Sequence, residues 1–212
     1  MANCDSKLAV NITYDACNPA AKGLKSKGWI ANFDDIDHAA TQATRVMTGS
    51  SPNQVPTNLY KDIVLKSGKK LYQIVQAGKT PFSGNTSEAQ VGTYRVTWNK
   101  TLQFIILNSG ADVTTNIIDK LANGKFVAIV ENSYAGNNGD NEFEIIGLET
   151  GLTLTEGNNE KYNEDYGGGW SLTMVEENAP TSGLYILADK DEDDSSAVET
   201  TLTLLEGKES AS

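Results

Sequence analysis

Histidine is almost missing from this chain: His38 is the one copy in 212 residues. Any mechanism that uses an imidazole base therefore has to run through it, because neither a Ser–His–acid set nor a Cys–His pair assembles without it. His38 stands in the acidic stretch "DDIDHAAT", and no G-x-S-x-G elbow occurs anywhere in the chain. It reads as a surface residue, and no catalytic residue or enzymatic activity is expected. Cysteine is almost as scarce. Cys4 and Cys17, with no histidine near them, are too few for a four-ligand zinc site. Their state stays open between free thiols in a reducing cytoplasm and a disulfide after release to an oxidising medium.

Long apolar runs are missing too. Nothing approaches the roughly 18 residues that a membrane-spanning helix needs. The start, "MANCDSKLAVNITYD", has no basic segment followed by an apolar one, so no secretory leader is expected. The chain is then expected to stay in the cytoplasm where it is made unless a larger assembly carries it out. The "NIT" at Asn11 then has little meaning as a glycosylation acceptor.

Basic charge is in deficit. Seventeen Lys and Arg face 28 Asp and Glu, a net charge of −11. Phosphate recognition needs clustered cations, so a nucleic-acid-binding groove is disfavoured, as is adsorption to an anionic membrane. A wall past which nucleic acid slides without sticking remains compatible with that balance. Two acidic stretches resemble cation loops. "DKDEDD" (189–194) lacks the glycine and the final glutamate of an EF-hand, and "NNGDNE" (137–142) is merely rich in oxygen atoms. Weak divalent-ion binding is the alternative there to a solvated turn, which is the simpler reading. "GKKLYQ" has neither the spacing nor the Ser/Thr of a P-loop. No metal and no cofactor is expected.

What is present is enough for a core. Apolar residues make up 39% and charged ones 21%, which argues against wholesale disorder. "GWIANF" reads as a strand anchored by Trp29 and Phe33. In "DDIDHAATQATRVMTG" the residues Ile36, Ala39, Ala40, Ala43, Val46 and Met47 recur at helical spacing, with Asp34 or Asp35 as cap and Gly49 as stop. Residues 49–58 read as a loop, 59–77 as a hairpin turning at Gly68, and 78–88 as another loop. "TYRVTWNKTLQFIIL" (93–107) alternates as a strand, its end buried on both sides.

Residues 109–124 form the clearest helix, with Val113, Ile117, Ile118 and Leu121 on one stripe. Ser109 or Asp112 caps its start, and Asn123-Gly124 suits a left-handed cap at its end. "KFVAIVENS" follows as a buried strand, and 134–142 turns the chain. "FEIIGLETGLTLT" and "WSLTM" alternate as strands around the polar excursion 156–169. Gly147 and Gly151, four apart, mark a bulge or a close backbone approach. "SGLYILA" (182–188) is a last core strand. The chain thus reads as one mainly β, mostly antiparallel domain over 1–188. An acidic extension over 189–212 follows, whose "VETTLTLLEG" makes a short strand, pairs with another subunit or stays disordered.

The polar excursion raises one more candidate. Tyr162, Tyr166 and Trp170 beside "DYGGGW" have the residue types that stack on a sugar ring or a base. The simpler reading is that Trp170 begins a core strand and the glycines end a loop.

The order "MANC", a second cysteine, "GWIANFDDI", a helix feeding "LANGKFVAIVEN", "FEIIGLETGLTLT", and "GGGWSLTM" before "YIL" resembles a group of virion structural proteins from phages of Bacteroidetes bacteria. Members of that group look like major tail or tail tube proteins. The resemblance runs through most of the chain in short strand and turn patterns and stops near residue 188. It implies a tail tube-like fold: an antiparallel β-sandwich or barrel flanked by one α-helix (about 110–123), with a long hairpin or loop reaching a neighbour. It also implies self-association into rings, commonly hexameric, that stack into a conduit through which DNA passes without specific binding. The location would be the virion. The expected contact loop carries Tyr162, Asp165, Tyr166 and Trp170. Two rival roles are another virion part (connector, tail ring or head decoration) and a β-sandwich module that binds glycan.

Overall fold

The computed structural model describes residues 11–12, 22–52, 54–76, 80–133, 139–165, 167–188 and 194–210. Cys4, Cys17, the "DKDED" of the acidic cluster (189–193) and Tyr166 lie outside these residues. The fold is mainly β. Its strands are β1 (Leu24–Asn32), β2 (Arg45–Thr48), β3 (Val55–Tyr60), β4 (Tyr72–Val75), β5 (Phe82–Val91) and β6 (Val96–Ile106), then β7 (Phe126–Asn132), β8 (Phe143–Ile146), β9 (Leu152–Asn158), β10 (Trp170–Ala179) and β11 (Leu184–Ile186). They join one mixed sheet in the order β2-β3-β11-β8-β7-β9-β10-β6-β5, with β1 against β7 and β4 against β1. The pairings are antiparallel except β3 with β11, where Leu59 and Tyr60 run alongside Tyr185 and Ile186.

β7 explains the architecture. All of its residues are buried. Val127 and Ile129 enter one core with Trp29, Ile36, Ile63, Phe143, Ile145 and Ile186, while Phe126, Ala128 and Val130 enter another with Leu102, Phe104, Ile146, Leu152, Leu172 and Met174. A strand covered on both faces needs no polar alternation, which is why "FVAIV" is continuous. Each core has its own helical cover. The central helix, residues 111–123, places Val113, Ile118 and Leu121 on the second core. A C-terminal helix, Asp194–Gly207, places Leu205 in the first and packs Val198, Leu202 and Leu204 against it.

The C-terminal helix replaces the short strand or disordered tail expected for "VETTLTLLEG", and it makes two covering helices rather than one. Ala197, Thr201 and Leu205, all buried, fall at i, i+4 and i+8, so one face of a helix meets the sheet. The end is tied down as well. Glu209 accepts from the Trp29 indole at 2.8 Å and from Gln73, Lys208 pairs with Asp62 at 2.9 Å, and the Leu71 N–H donates to the Lys208 carbonyl at 2.8 Å.

Four other expectations change. The helix over 36–47 shortens to His38–Ala43, capped by Asp37, whose side chain accepts from the Ala40 N–H at 3.0 Å. Arg45–Thr48 then turns extended because β3 offers it a ladder. Residues 59–77 are no hairpin: β3 pairs with β2 and β11, β4 with β1, and the buried Ile63 and Leu71 serve the core from the connection. The loop expected at 78–88 is mostly β5, paired with β6 from Phe82 to Val91. The central helix has Gly110, not a Ser or Asp side chain, at its start, and Gly124 at its end is extended rather than left-handed. Its middle, Thr114–Ile118, is π-helical. The wider turn breaks the 3.6-residue spacing, so Ile118 faces the core and Ile117 is 41% exposed.

Candidate functional site

Three features on this frame bear on what the chain can bind. The first is the hairpin β5–β6. It stays paired to Val91 and Val96, and a four-residue turn closes it with the Gly92 N–H donating to the Arg95 carbonyl at 3.1 Å. Residues 86–96 are exposed without interruption, and the tip carries Val91 at 86%, Tyr94 at 99% and Val96 at 49% exposure. The base, by contrast, is anchored: Phe82, Leu102 and Phe104 are core residues. A firmly held hairpin thus presents an apolar tip for which the fold itself has no use. Sequence reading missed it because the arm of β5, "NTSEAQV", has no buried face to impose alternation.

The second feature is the turn 147–151 between β8 and β9. Both strands contact β7. Through β8 the sheet continues to β11, β3 and β2; through β9 it continues to β10, β6 and β5. The turn is therefore the point where the two wings of the sheet part. Gly147 and Gly151 have φ of +91° and +89°, and the Gly151 N–H closes onto the Gly147 carbonyl at 3.1 Å. A Cβ on Gly147 would meet the Phe126 carbonyl oxygen at 2.5 Å, so this position requires glycine. The close backbone approach read from the glycine spacing is thus present.

Glu176 on β10, fully buried, holds that turn. Its carboxylate accepts from the Gly147, Glu149 and Thr150 amides at 2.9, 2.9 and 3.0 Å. Lys100 on β6, also buried, lies 3.2 Å from Glu176 and 3.3 Å from Glu149. Glu149 in turn accepts from the Thr181 hydroxyl at 2.8 Å. Two charges withdrawn from water are compensated by each other and by backbone donors. The alternation in "SLTMVEE" gives no hint of this role: it places Glu176 on the buried face without showing what it meets.

The third feature is the expected contact loop. Tyr162 is 96% exposed at its outer end. Asp165 sits in a tight turn, its N–H donating to the Asn163 side chain at 2.8 Å. The base of the loop is clamped by the Asn159 amide, which donates to the Gly168 and Gly169 carbonyls at 3.0 and 2.5 Å. Trp170 does not join Tyr162 at the surface; it starts β10 opposite Ile106 and packs against the second core. Of the four residues grouped by sequence, the described ones therefore divide into an exposed tyrosine, a turn aspartate and a core-packed tryptophan.

His38 lies with its Nε2 3.1 Å from the Phe33 carbonyl oxygen and its ring 4.3 Å from the Phe33 ring. Among the described residues there is no group of three His, Cys, Asp or Glu side chains placed to hold a metal ion, and no helix is long and apolar enough to cross a membrane. No family model, curated protein or solved structure matches the chain.

Proposed function

We propose that this chain is a structural subunit of a phage virion, of the tail tube kind, that associates with copies of itself into rings and stacks. The observation that carries the reading is the β5–β6 hairpin, an anchored arm whose apolar tip of Val91, Tyr94 and Val96 is left to solvent. Such a patch is suited to burial against a neighbour, and a rigid arm loses little entropy on docking. The resemblance in strand and turn patterns supports the same role. The net charge of −11 suits a conduit wall, because like charge keeps phosphates from adhering.

Electron microscopy and sedimentation of the purified chain test the proposal together. Rings or tubes are expected from the intact protein. A combined Val91→Ser, Tyr94→Ser, Val96→Ser variant is expected to remain monomeric with an unchanged melting temperature, since none of the three side chains supports the core. An intact chain that stays monomeric at high concentration would overturn the reading. Rings that persist in the triple variant would move the contact elsewhere.

A further inference from the structure

A cleft of about 600 Å³ opens at the base of the long hairpin, where β5 comes back over β8 and β11. Side chains rather than a backbone ladder join this seam: the Asn85 amide donates to Glu144 at 2.8 Å, and the Ser87 hydroxyl donates to the Ser182 carbonyl at 2.7 Å. The lining is mixed. Leu24 and Phe82 are apolar, Ser83, Asn85 and Tyr185 can donate, and Glu144 accepts. The volume falls within the roughly 300–1,000 Å³ of pockets that seat a compact guest.

The tip of the same hairpin carries a group of matching character. Tyr94 is 99% exposed and joins two apolar ring faces to one hydroxyl that both donates and accepts. Arg95 follows it, exposed and, among the described residues, in no ion pair. The cleft supplies the opposite charge. Glu144 stands in its wall, and Asp140 is close enough to Tyr185 that burial and these two carboxylates together raise the phenol above its ordinary value of 10.0. The nearest lysines are committed elsewhere. Lys25 is held by Glu131 and Glu142 at 2.6 and 2.5 Å, and Lys100 by Glu149 and Glu176 at 3.3 and 3.2 Å.

A chain cannot fill its own cleft. The strands stay paired out to Val91 and Val96, and Val91 is four residues beyond Ser87, roughly 13 Å at the usual rise of a strand. The tip is therefore held away from the base of its own hairpin and is free to meet the base of another.

We propose that Tyr94 of one copy enters this cleft on a second copy, its ring against Leu24 and Phe82 and its hydroxyl among the polar groups, with Arg95 facing Glu144 and Asp140. The inference rests on the reading of the hairpin as a self-association arm and supplies the acceptor for that arm. Guest and cleft are different patches of one chain, so the contact is head-to-tail. Such contacts give rings where the rotation closes and filaments where it does not. One ion pair in a mainly apolar contact leaves repulsion between the acidic chains as the dominant charge effect.

Photo-crosslinking of a Tyr94→p-benzoylphenylalanine chain tests the contact directly. Crosslinked dimers are expected, with the adduct in peptides covering 82–87, 140–144 or 185 of the second copy. Adducts elsewhere on the second copy, or none, would overturn this acceptor and leave self-association standing. An intact chain that stays monomeric at high concentration would remove both readings. Sedimentation of mixed variants gives a second readout. Ser83→Trp, at an exposed position in the cleft wall, plugs the cleft, and Tyr94→Ser removes the guest. Each variant alone should associate roughly tenfold or more weakly than the intact chain, with an unchanged melting temperature. Mixed, they should pair into dimers and nothing larger, because one sound tip and one sound cleft remain. A mixture that stays monomeric, or a Ser83→Trp chain that assembles like the intact one, would overturn the proposal.

Discussion

At the scale of the residue, Glu176 carries more of this structure than any side chain of its size would by packing alone. Replacing it with leucine leaves Lys100 buried without its closest partner and three amides of the 147–151 turn without an acceptor. The expected loss is about 3–5 kcal/mol, read as a fall in the urea midpoint. A Lys100→Met, Glu176→Leu double variant separates two contributions. It removes the orphaned charge but not the orphaned amides, so stability should return only in part. Full recovery would mean that water reaches the turn amides. Gly147→Ala should cost more than about 1 kcal/mol, since the side chain meets both a positive φ and a backbone oxygen. Gly68→Ala, also at positive φ but with nothing within 4 Å, should cost less.

At the scale of the element, one carboxylate gathers three of the contacts that hold the far end of the C-terminal helix. Burial alone would raise the Glu209 carboxyl, but donors from Trp29, Lys27 and Gln73 outweigh it and hold the group below its ordinary value of 4.5. A depressed value in the folded state means that this stabilisation is complete above pH 4.5 and is lost as pH falls through the lowered value. Amide-exchange protection of residues 194–210 should therefore decrease in that acidic window before the protection of β7 does. Glu209→Gln should reduce it already at neutral pH.

The same elements show where the sequence is legible. β6, β7, β10 and β11 were readable because each is patterned by its own surroundings: alternation where one face is wet, continuity where both are dry. The central helix was readable from its stripe, except at the π-helical turn that moved Ile117 outward. β3 and β4 were paired wrongly because their true partners are distant: β3 joins β11 and β4 joins β1, contacts that no local pattern records. The terminal helix looked like a strand because Thr200, Thr201 and Thr203 favour extended backbone. The spacing of Ala197, Thr201 and Leu205 was the signal that could have found it. Of the site, the glycine turn was visible as a close approach. The hairpin tip was not, since exposure leaves no mark on polar sequence.

At the scale of the whole molecule, acidic subunits that associate must overcome mutual repulsion. With a net charge of −11 and an apolar hairpin tip as the proposed contact, the proposed self-association should strengthen as sodium chloride is raised from about 10 to 150 mM, because the screening length shortens over that range from about 30 to 8 Å. Sedimentation velocity at several ionic strengths measures this. Association that weakens with salt would instead indicate an interface built on opposite charges.

The placement of the last helix also sets a schedule. β3 waits for β11, β1 waits for β7, and the first core waits for a helix that follows every strand in chain order. Until those residues emerge, Trp29 and its neighbours have no lid, and pairing must span most of the chain, which slows folding. A chain made only as far as β11 therefore carries an open core while its hairpin tip is already made. Quality control is then built into chain order: the interior closes only once that helix is made, and a chain cut short before it is left soft and open to proteases.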